Sequence, residues 1–222
     1  MLVCANEAVF LYVALELCTI PLYIMVAYHR GDAKSAEAGL KYVIIGALSS
    51  GFLLYGFSLI FGMTASTMLH DWARLLTWQP LTIAAVVCII AGLGFKITLV
   101  PFHVWAADVY EGAPTPVTAF LSVGSKAAGL AVFLKIFYVA LGPLASEWNF
   151  IVAILSAITM TFGNTVAIWQ TNVKRMLAYS SIAQAGYIMA AFVAVSQLGL
   201  ASIVFYILIY IVTNMAAFAV VI

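Results

Sequence analysis

Long apolar runs broken by short polar connections set the pattern of this chain. A helix needs roughly 20 predominantly apolar residues to cross a bilayer. By that ruler seven runs qualify, at residues 8–28, 40–61, 81–100, 117–141, 150–169, 176–196 and 199–222. The pattern predicts an all-α polytopic membrane protein of about seven transmembrane helices. The last run is still apolar where it reaches Ile222, and Met1 to Ala5 are apolar without the charged flank of a signal peptide. The sequence therefore reads as a piece of a longer chain.

Composition sharpens this picture. Of 222 residues, 66% are apolar and 8% charged, whereas soluble chains are about a quarter charged. A formal net charge of +1 lacks the basic excess that phosphate binding requires, which excludes nucleic acid as a partner. Cys4, Cys18 and Cys88 lie far apart without ligand spacing and predict no metal site, redox motif or disulfide framework. Lysine and arginine in the connections set orientation. Five of them, Arg30, Lys34, Lys41, Lys174 and Arg175, share one side and two, Arg74 and Lys135, lie on the other. The first side is therefore expected in the cytoplasm, or in the matrix of an organelle.

The informative charges lie inside the runs. Glu16 is near the middle of the first, Lys126 near the middle of the fourth, and Lys96 in the last turns of the third, just before Pro101. Together they cost on the order of 8 to 10 kcal/mol of membrane insertion, which neighbouring helices or function must offset. The alternatives are a structural ion pair or, for Lys96, a side chain that snorkels to the interface. Lys135 and Glu7, near helix ends, read as interfacial anchors.

Polar stripes accompany these charges. Tyr12, Glu16, Thr19 and Tyr23 follow helical spacing, as do Thr118, Ser122, Ser125, Lys126 and Gly129. Shorter stripes follow at Thr161, Asn164 and Thr165, at Ser181 and Gln184, and at Tyr206, Tyr210, Thr213 and Asn214. A single stripe is commonly packing glue between helices. Their recurrence points instead to a shared hydrated interior.

Two further features suit a transporter. Gly92, Gly94, Lys96 and Pro101 predict a helix that breaks inside the membrane, with Phe102 to Glu111 as a short second half. A plain proline kink is the alternative. Tyr23-Ile24-Met25-Val26-Ala27 recurs as Tyr187-Ile188-Met189-Ala190-Ala191 at an offset of 164, which also pairs Tyr42 with Tyr206 and Ser50 with Asn214. That offset is a shift of five helices, so the paired helices cross in opposite directions, as in an inverted repeat.

The residues that carry these features resemble a known family. Gly94-Phe95-Lys96, Pro101-Phe102-His103-Val104-Trp105, Asp108-Val109-Tyr110-Glu111-Gly112-Ala113-Pro114-Thr115-Pro116-Val117 and Asn172-Val173-Lys174-Arg175-Met176-Leu177-Ala178-Tyr179-Ser180-Ser181-Ile182 resemble the antiporter-like membrane subunits of respiratory complex I. Ser122 and the pair Ser125-Lys126 make the likeness strongest to the N-type branch. The resemblance covers the whole chain and roughly the middle half of the family's length, its fifth to eleventh helices.

The resemblance implies an inverted-repeat bundle, with residues 1–147 forming most of the first repeat and 148–222 the truncated start of the second. It implies a proton path through Glu16, Lys96, Lys126 and Lys174, with Pro101 at the helix break. His103 is a candidate proton carrier there or a hydrogen-bonded interfacial histidine. Burial favours loss of a lysine's proton and a nearby carboxylate favours its retention, so a changing distance between Glu16 and Lys96 would switch Lys96. No glycine-rich dinucleotide turn and no cysteine cluster is present in the sequence. Flavin, iron–sulfur clusters and quinone would then belong to partner subunits of the same complex, an NADH:quinone oxidoreductase. The implied partners are the sister antiporter-like and small membrane subunits, the lipid bilayer and protons. The implied location is the inner membrane of a bacterium, or of a mitochondrion. A second reading is an Mrp-type cation/proton antiporter subunit, and a third is a scaffold whose buried charges are only paired.

Overall fold

The apolar runs fold as helices because, away from water, a helix satisfies its backbone N–H and C=O groups within its own segment. The structure, a computed structural model, describes residues 2–29 and 31–221. Arg30, one of the basic residues that orient the chain, lies outside the described residues with Met1 and Ile222. The helices are α1 (Ala8–Val26), α2 (Ala33–Thr64), α3 (Leu69–Leu75), α4 (Pro80–Ile97), α5 (Ala106–Gly112), α6 (Thr115–Phe120), α7 (Lys126–Leu134), α8 (Ala145–Ile168), α9 (Val173–Phe192) and α10 (Gln197–Val221). Among the described residues the only β pairing is a single bridge between Glu7 and Met68. A π-helical turn, Leu121–Ser125, joins α6 to α7, and a second, Lys135–Ala140, continues α7, making one span, Thr115–Ala140.

Six segments are long and apolar enough to cross a membrane: α1, α2, α4, Thr115–Ala140, Gly142–Ile168 and α10. The predicted run at 176–196 forms α9, 20 residues long. Its serines, Gln184, Lys174 and Arg175 make it less apolar than the others, and it packs between α8 and α10. Helix α2 is longer than its apolar run, with 32 residues or about 48 Å. Its first turns carry Lys34, Glu37 and Lys41 and so extend past a hydrocarbon layer about 30 Å thick. Asp32 caps it by accepting the Lys34 N–H at 3.0 Å.

Helix α4 starts with Pro80 at its first turn and ends at Ile97, where Thr98 takes the left-handed conformation at φ 61°. The Leu99 N–H returns to the Gly94 carbonyl at 2.8 Å, closing the end. Pro101 stands in the turn that follows, before α5 resumes at Ala106. The freed backbone is satisfied by protein: Trp105 Nε1 donates to the Phe95 carbonyl at 3.0 Å, and the Val100 N–H donates to Thr159 Oγ1 at 3.1 Å. Irregular backbone is tolerated at membrane depth under those conditions.

Helices α2 and α4 approach closely at Gly92, where a Cβ would lie 2.6 Å from the Leu53 Cβ and 2.9 Å from the Ser49 carbonyl oxygen. Ser49 Oγ exploits the approach by donating to the Gly92 carbonyl at 2.8 Å. A second close pair, α8 and α9, is bridged by Ser156 Oγ donating to the Gly186 carbonyl at 2.8 Å. One apolar core gathers Trp72, Phe133, Phe137, Trp148 and Phe192. Another gathers Tyr42, Phe95, Trp105 and Tyr110 beside the helix break. Outward faces are apolar as well, with Phe150 72% and Ile168 83% exposed, a surface suited to lipid rather than water.

Candidate functional site

The α1 stripe turns inward. Glu16 accepts a hydrogen bond from Ser50 Oγ of α2. One turn further along, Thr19 is buried, gives its own hydroxyl proton to the Leu15 carbonyl at 2.6 Å, and accepts from Lys96 Nζ. Lys96 is 5% exposed and occupies the last turn of α4, where the negative end of the helix dipole favours a cation. Glu16 and Lys96 form no direct ion pair. They are linked through adjacent positions on one face of α1.

Lys126 is 3% exposed and directly follows the π-helical turn Leu121–Ser125, a helix irregularity often found at functional sites. Its Nζ donates to both the hydroxyl and the carbonyl of Ser181 on α9, the carbonyl at 2.6 Å. Ser181 Oγ lies 2.6 Å from the Tyr210 hydroxyl of α10 and 3.4 Å from the Tyr110 hydroxyl of α5. Close packing brings the two lysine-bearing helices together: a Cβ at Gly129 would lie 3.2 Å from the Lys96 Cβ. A cavity of about 330 Å³ between α1 and the Thr115–Ala140 span has mostly apolar walls, among them Leu22, Met25 and Phe120, with Thr19, Lys96 and Ser125 as its polar lining. It joins the surroundings of Lys96 to the residue next to Lys126.

A different electrostatic arrangement occupies the connection side. Arg175 Nη1 lies 2.7 Å from Asp108 and 3.0 Å from Glu111. Lys34 lies 2.9 Å from Glu111, and Lys41 lies 2.6 Å from Asp108 and 2.7 Å from Glu37. The clamp ties α2 and α9 to α5, the short helix beyond the break. Hydrogen bonding from Lys34, and then from Arg175, holds the Glu111 carboxyl below its ordinary value. Lys174 takes no carboxylate; its Nζ donates to the Ala113 carbonyl at 2.8 Å and the Glu111 carbonyl at 3.3 Å, capping the end of α5. His103 sits apart in the turn after α4, its ring 4.6 Å from that of Phe162, and its buried Nδ1 has no hydrogen-bond partner among the described residues.

Thus Glu16, bonded to Ser50, and Lys96, bonded to Thr19, meet neighbouring positions of one α1 face, Lys126 is held separately by Ser181, Lys174 lies at the clamp, and His103 stands outside all three. The α8 stripe does not join them. Thr161, Asn164 and Thr165 are exposed and bond to carbonyls of their own helix, Asn164 also donating to the Tyr187 hydroxyl of α9 at 2.7 Å; buried Thr159 is the α8 hydroxyl that reaches the break. Sequence reasoning treated Lys34 and Lys41 as markers of orientation. The i, i+3 spacing of Asp108 and Glu111 on the half-helix is the signal that points to a clamp. Among the described residues, no three His, Cys, Asp or Glu side chains gather as metal ligands.

Comparison with known proteins gives the family. NADH-quinone oxidoreductase subunit N of Heliobacterium modesticaldum is 53% identical over 218 residues, covering 97% of this chain and 46% of that protein. A chain of respiratory complex I from Thermus thermophilus with bound aureothin superposes with a TM-score of 0.84 at 39% identity, over 99% of this chain and 47% of that one. A chain of the Mrp complex from Dietzia sp. DQ12-45-1b superposes with a TM-score of 0.88 at 22% identity, over 96% and 40%; at that identity the likeness is one of fold alone. The chain spans about half the length of the curated relatives it matches. The profile of the NADH:quinone oxidoreductase/Mrp antiporter transmembrane family matches residues 5–222, and the chain belongs to that family.

Proposed function

We propose that the protein is the middle part of an N-type membrane subunit of an NADH:quinone oxidoreductase, and that it carries protons across a bacterial inner membrane. Partner subunits hold the flavin, iron–sulfur clusters and quinone site, and their electron transfer drives the movement. Residues 1–147 supply most of one antiporter-like repeat and 148–222 the start of its inverted counterpart, with the connection between α1 and α2 in the cytoplasm. Sister antiporter-like and small membrane subunits flank the bundle.

In this reading Lys96 exchanges a proton with water in the cavity, Glu16 acts on Lys96 from the same face of α1 as Thr19, and Lys126 takes the proton onward. Lys174 lies on the same helix as the Ser181 that holds Lys126, seven residues or about 10 Å of rise closer to the cytoplasmic clamp. His103, at the turn near Pro101, serves the flank of the route. The observation that carries the proposal is that two buried lysines, Lys96 and Lys126, are held by hydroxyls rather than carboxylates on closely packed helices, with a cavity lined by Lys96 and Ser125 beside them. A scaffold reading expects buried charges to be paired with opposite charges.

The test is Lys126→Ala in the complete subunit within its complex. Proton translocation and coupled quinone reduction should fall several-fold with assembly retained. Wild-type turnover and pumping in an assembled mutant would refute the proposal.

A further inference from the structure

The proposed function leaves open how a buried lysine is held at the boundary between α7, α9 and α10. Lys126 has no carboxylate within ion-pair distance among the described residues. Its partners form a chain of hydroxyls whose direction can be worked out by counting donors. The Tyr210 hydroxyl donates to the Ser122 carbonyl at 2.9 Å. Its one proton is then used, so toward Ser181 and toward Asn214 Nδ2, 3.0 Å away, it must accept. Ser181 therefore gives its proton to Tyr210 and accepts from Lys126. The chain runs outward from the lysine: Lys126 to Ser181, Ser181 to Tyr210, Tyr210 to the Ser122 carbonyl. Ser122 lies in the π-helical turn immediately before Lys126, so the chain closes on the backbone that carries the lysine.

A neutral amine gains a lone pair. Ser181 can then donate to it, Tyr210 can donate to Ser181, and the Ser122 carbonyl loses its donor. We infer that Ser181 and Tyr210 are positioning residues for Lys126, forming a hydroxyl chain whose direction follows the protonation state of the lysine and reports it to the π-helical turn. This rests on Lys126 being a proton-path residue.

The other groups facing the site do not impose a direction. From α5 comes Tyr110, whose hydroxyl is 3.4 Å from Ser181. From α2 comes Tyr42, whose ring stacks on Trp105 at 4.7 Å between centroids. Lys96 of α4 approaches through its backbone side at Gly129. Lys174 and Arg175 on α9 lie about two turns away from Ser181. All four elements leave Ser181 as the hydroxyl that holds the Lys126 ammonium.

The test compares Tyr210→Phe, Ser181→Ala, Ser181→Thr and Lys126→Ala in the full-length subunit within its complex, following proton translocation against pH. Tyr210→Phe keeps the ring and removes one bond that only the charged lysine enjoys. The pH at which translocation declines on the alkaline side should move down by about 0.5 to 1 unit. Ser181→Ala should move it at least as far, and Ser181→Thr, which keeps the hydroxyl, should restore the wild-type profile. If Lys126→Ala stops translocation while the Tyr210→Phe and Ser181→Ala profiles overlay the wild type, the inference fails and the proposed function stands. A Tyr210→Phe loss equal at every pH would mean a merely structural role and would also overturn it. If Lys126→Ala is itself without effect, the proposed function falls and the inference with it.

Discussion

Replacing Thr19 with valine removes one hydroxyl and almost no volume, and it isolates how Lys96 is held. In the structure the Thr19 proton is committed to the Leu15 carbonyl at 2.6 Å, so the hydroxyl oxygen serves Lys96 as an acceptor. Lys96 is 5% exposed and has no carboxylate in contact. A hydrogen bond to a charged group contributes about 1.5 to 3 kcal/mol and one between neutral groups about 0.5 to 1.5 kcal/mol. The difference, about 1 to 1.5 kcal/mol, is the preference for the protonated lysine that Thr19 supplies. Thr19→Val should therefore shift the balance toward neutral Lys96 about 5- to 10-fold. Proton translocation by inverted membrane vesicles, followed across pH, should decline at a pH lower by about 0.7 to 1 unit. Thr19→Ser should behave as wild type.

The same perturbation tests whether Glu16 and Lys96 communicate along α1. If they do, Glu16→Gln combined with Thr19→Val should cost clearly less than the sum of the two singles, because both act on one protonation equilibrium. A Thr19→Val profile that overlays the wild type in an assembled complex would refute the reasoning for Thr19. Additive losses would refute communication with Glu16.

Two further expectations concern the connections. The Glu111 carboxyl is held below its ordinary value, so the stability it lends is fully present above the unfolded carboxylate range, near pH 4, and is lost as pH falls through the folded value; Glu111→Gln should abolish that acid-dependent step in a thermal unfolding series, and an unchanged step would refute its assignment to the clamp. In a cysteine-free background, single cysteines at the exposed positions Gly31 and Thr77 should differ toward a membrane-impermeant thiol reagent in intact cells, with labelling at 77 and none at 31; the reverse would overturn the orientation and the cytoplasmic placement of the clamp.

The spans were legible because roughly 20 consecutive apolar residues have few folded alternatives. The start of α2 was not. Residues 33 to 39 alternate small and charged side chains, which reads as a loop until Glu111 and Asp108 arrive from distant sequence to pair with Lys34 and Lys41. Helix α3 escaped notice because seven residues with His70, Asp71 and Arg74 carry no span signal, although Leu69 and Trp72 are buried. The α8 stripe misled because a threonine can satisfy its hydroxyl on the carbonyl four residues back and face lipid at little cost. The π-helical turn before Lys126 is invisible to any search at a period of 3.6, and the bond from Tyr210 to Ser122 depends on that turn. What the pattern did carry was the polarity of α1. Tyr12, Glu16, Thr19 and Tyr23 share one face, and Thr19 with Glu16 supplies the contacts to Lys96 and Ser50.

The cations of this protein divide by the kind of partner they have, and on the proposed function the division would separate holding from transfer. Lys34, Lys41 and Arg175 face carboxylates, and a carboxylate in contact fixes the proton on its partner because losing it strands a negative charge. Such pairs suit a clamp that must stay charged. Lys96 and Lys126 face hydroxyls, a helix end and a carbonyl. These dipoles stabilise an ammonium less than an anion does, and a hydroxyl that accepts from the ammonium can in principle donate to the amine. Ser181 is free to make that reversal, whereas the Thr19 proton is already given to the Leu15 carbonyl. Lys126 is thus the less biased of the two: Ser181 can serve both of its protonation states, and the charged one keeps only the additional bond from Tyr210 to the Ser122 carbonyl. Thr19 can serve only the charged form of Lys96, with Glu16 one turn before Thr19 on α1. On the proposed route, a proton passing between them would move between a site whose hydroxyl serves only the charged lysine and one whose hydroxyl can serve both forms, and a change around Glu16 would act on the first of these.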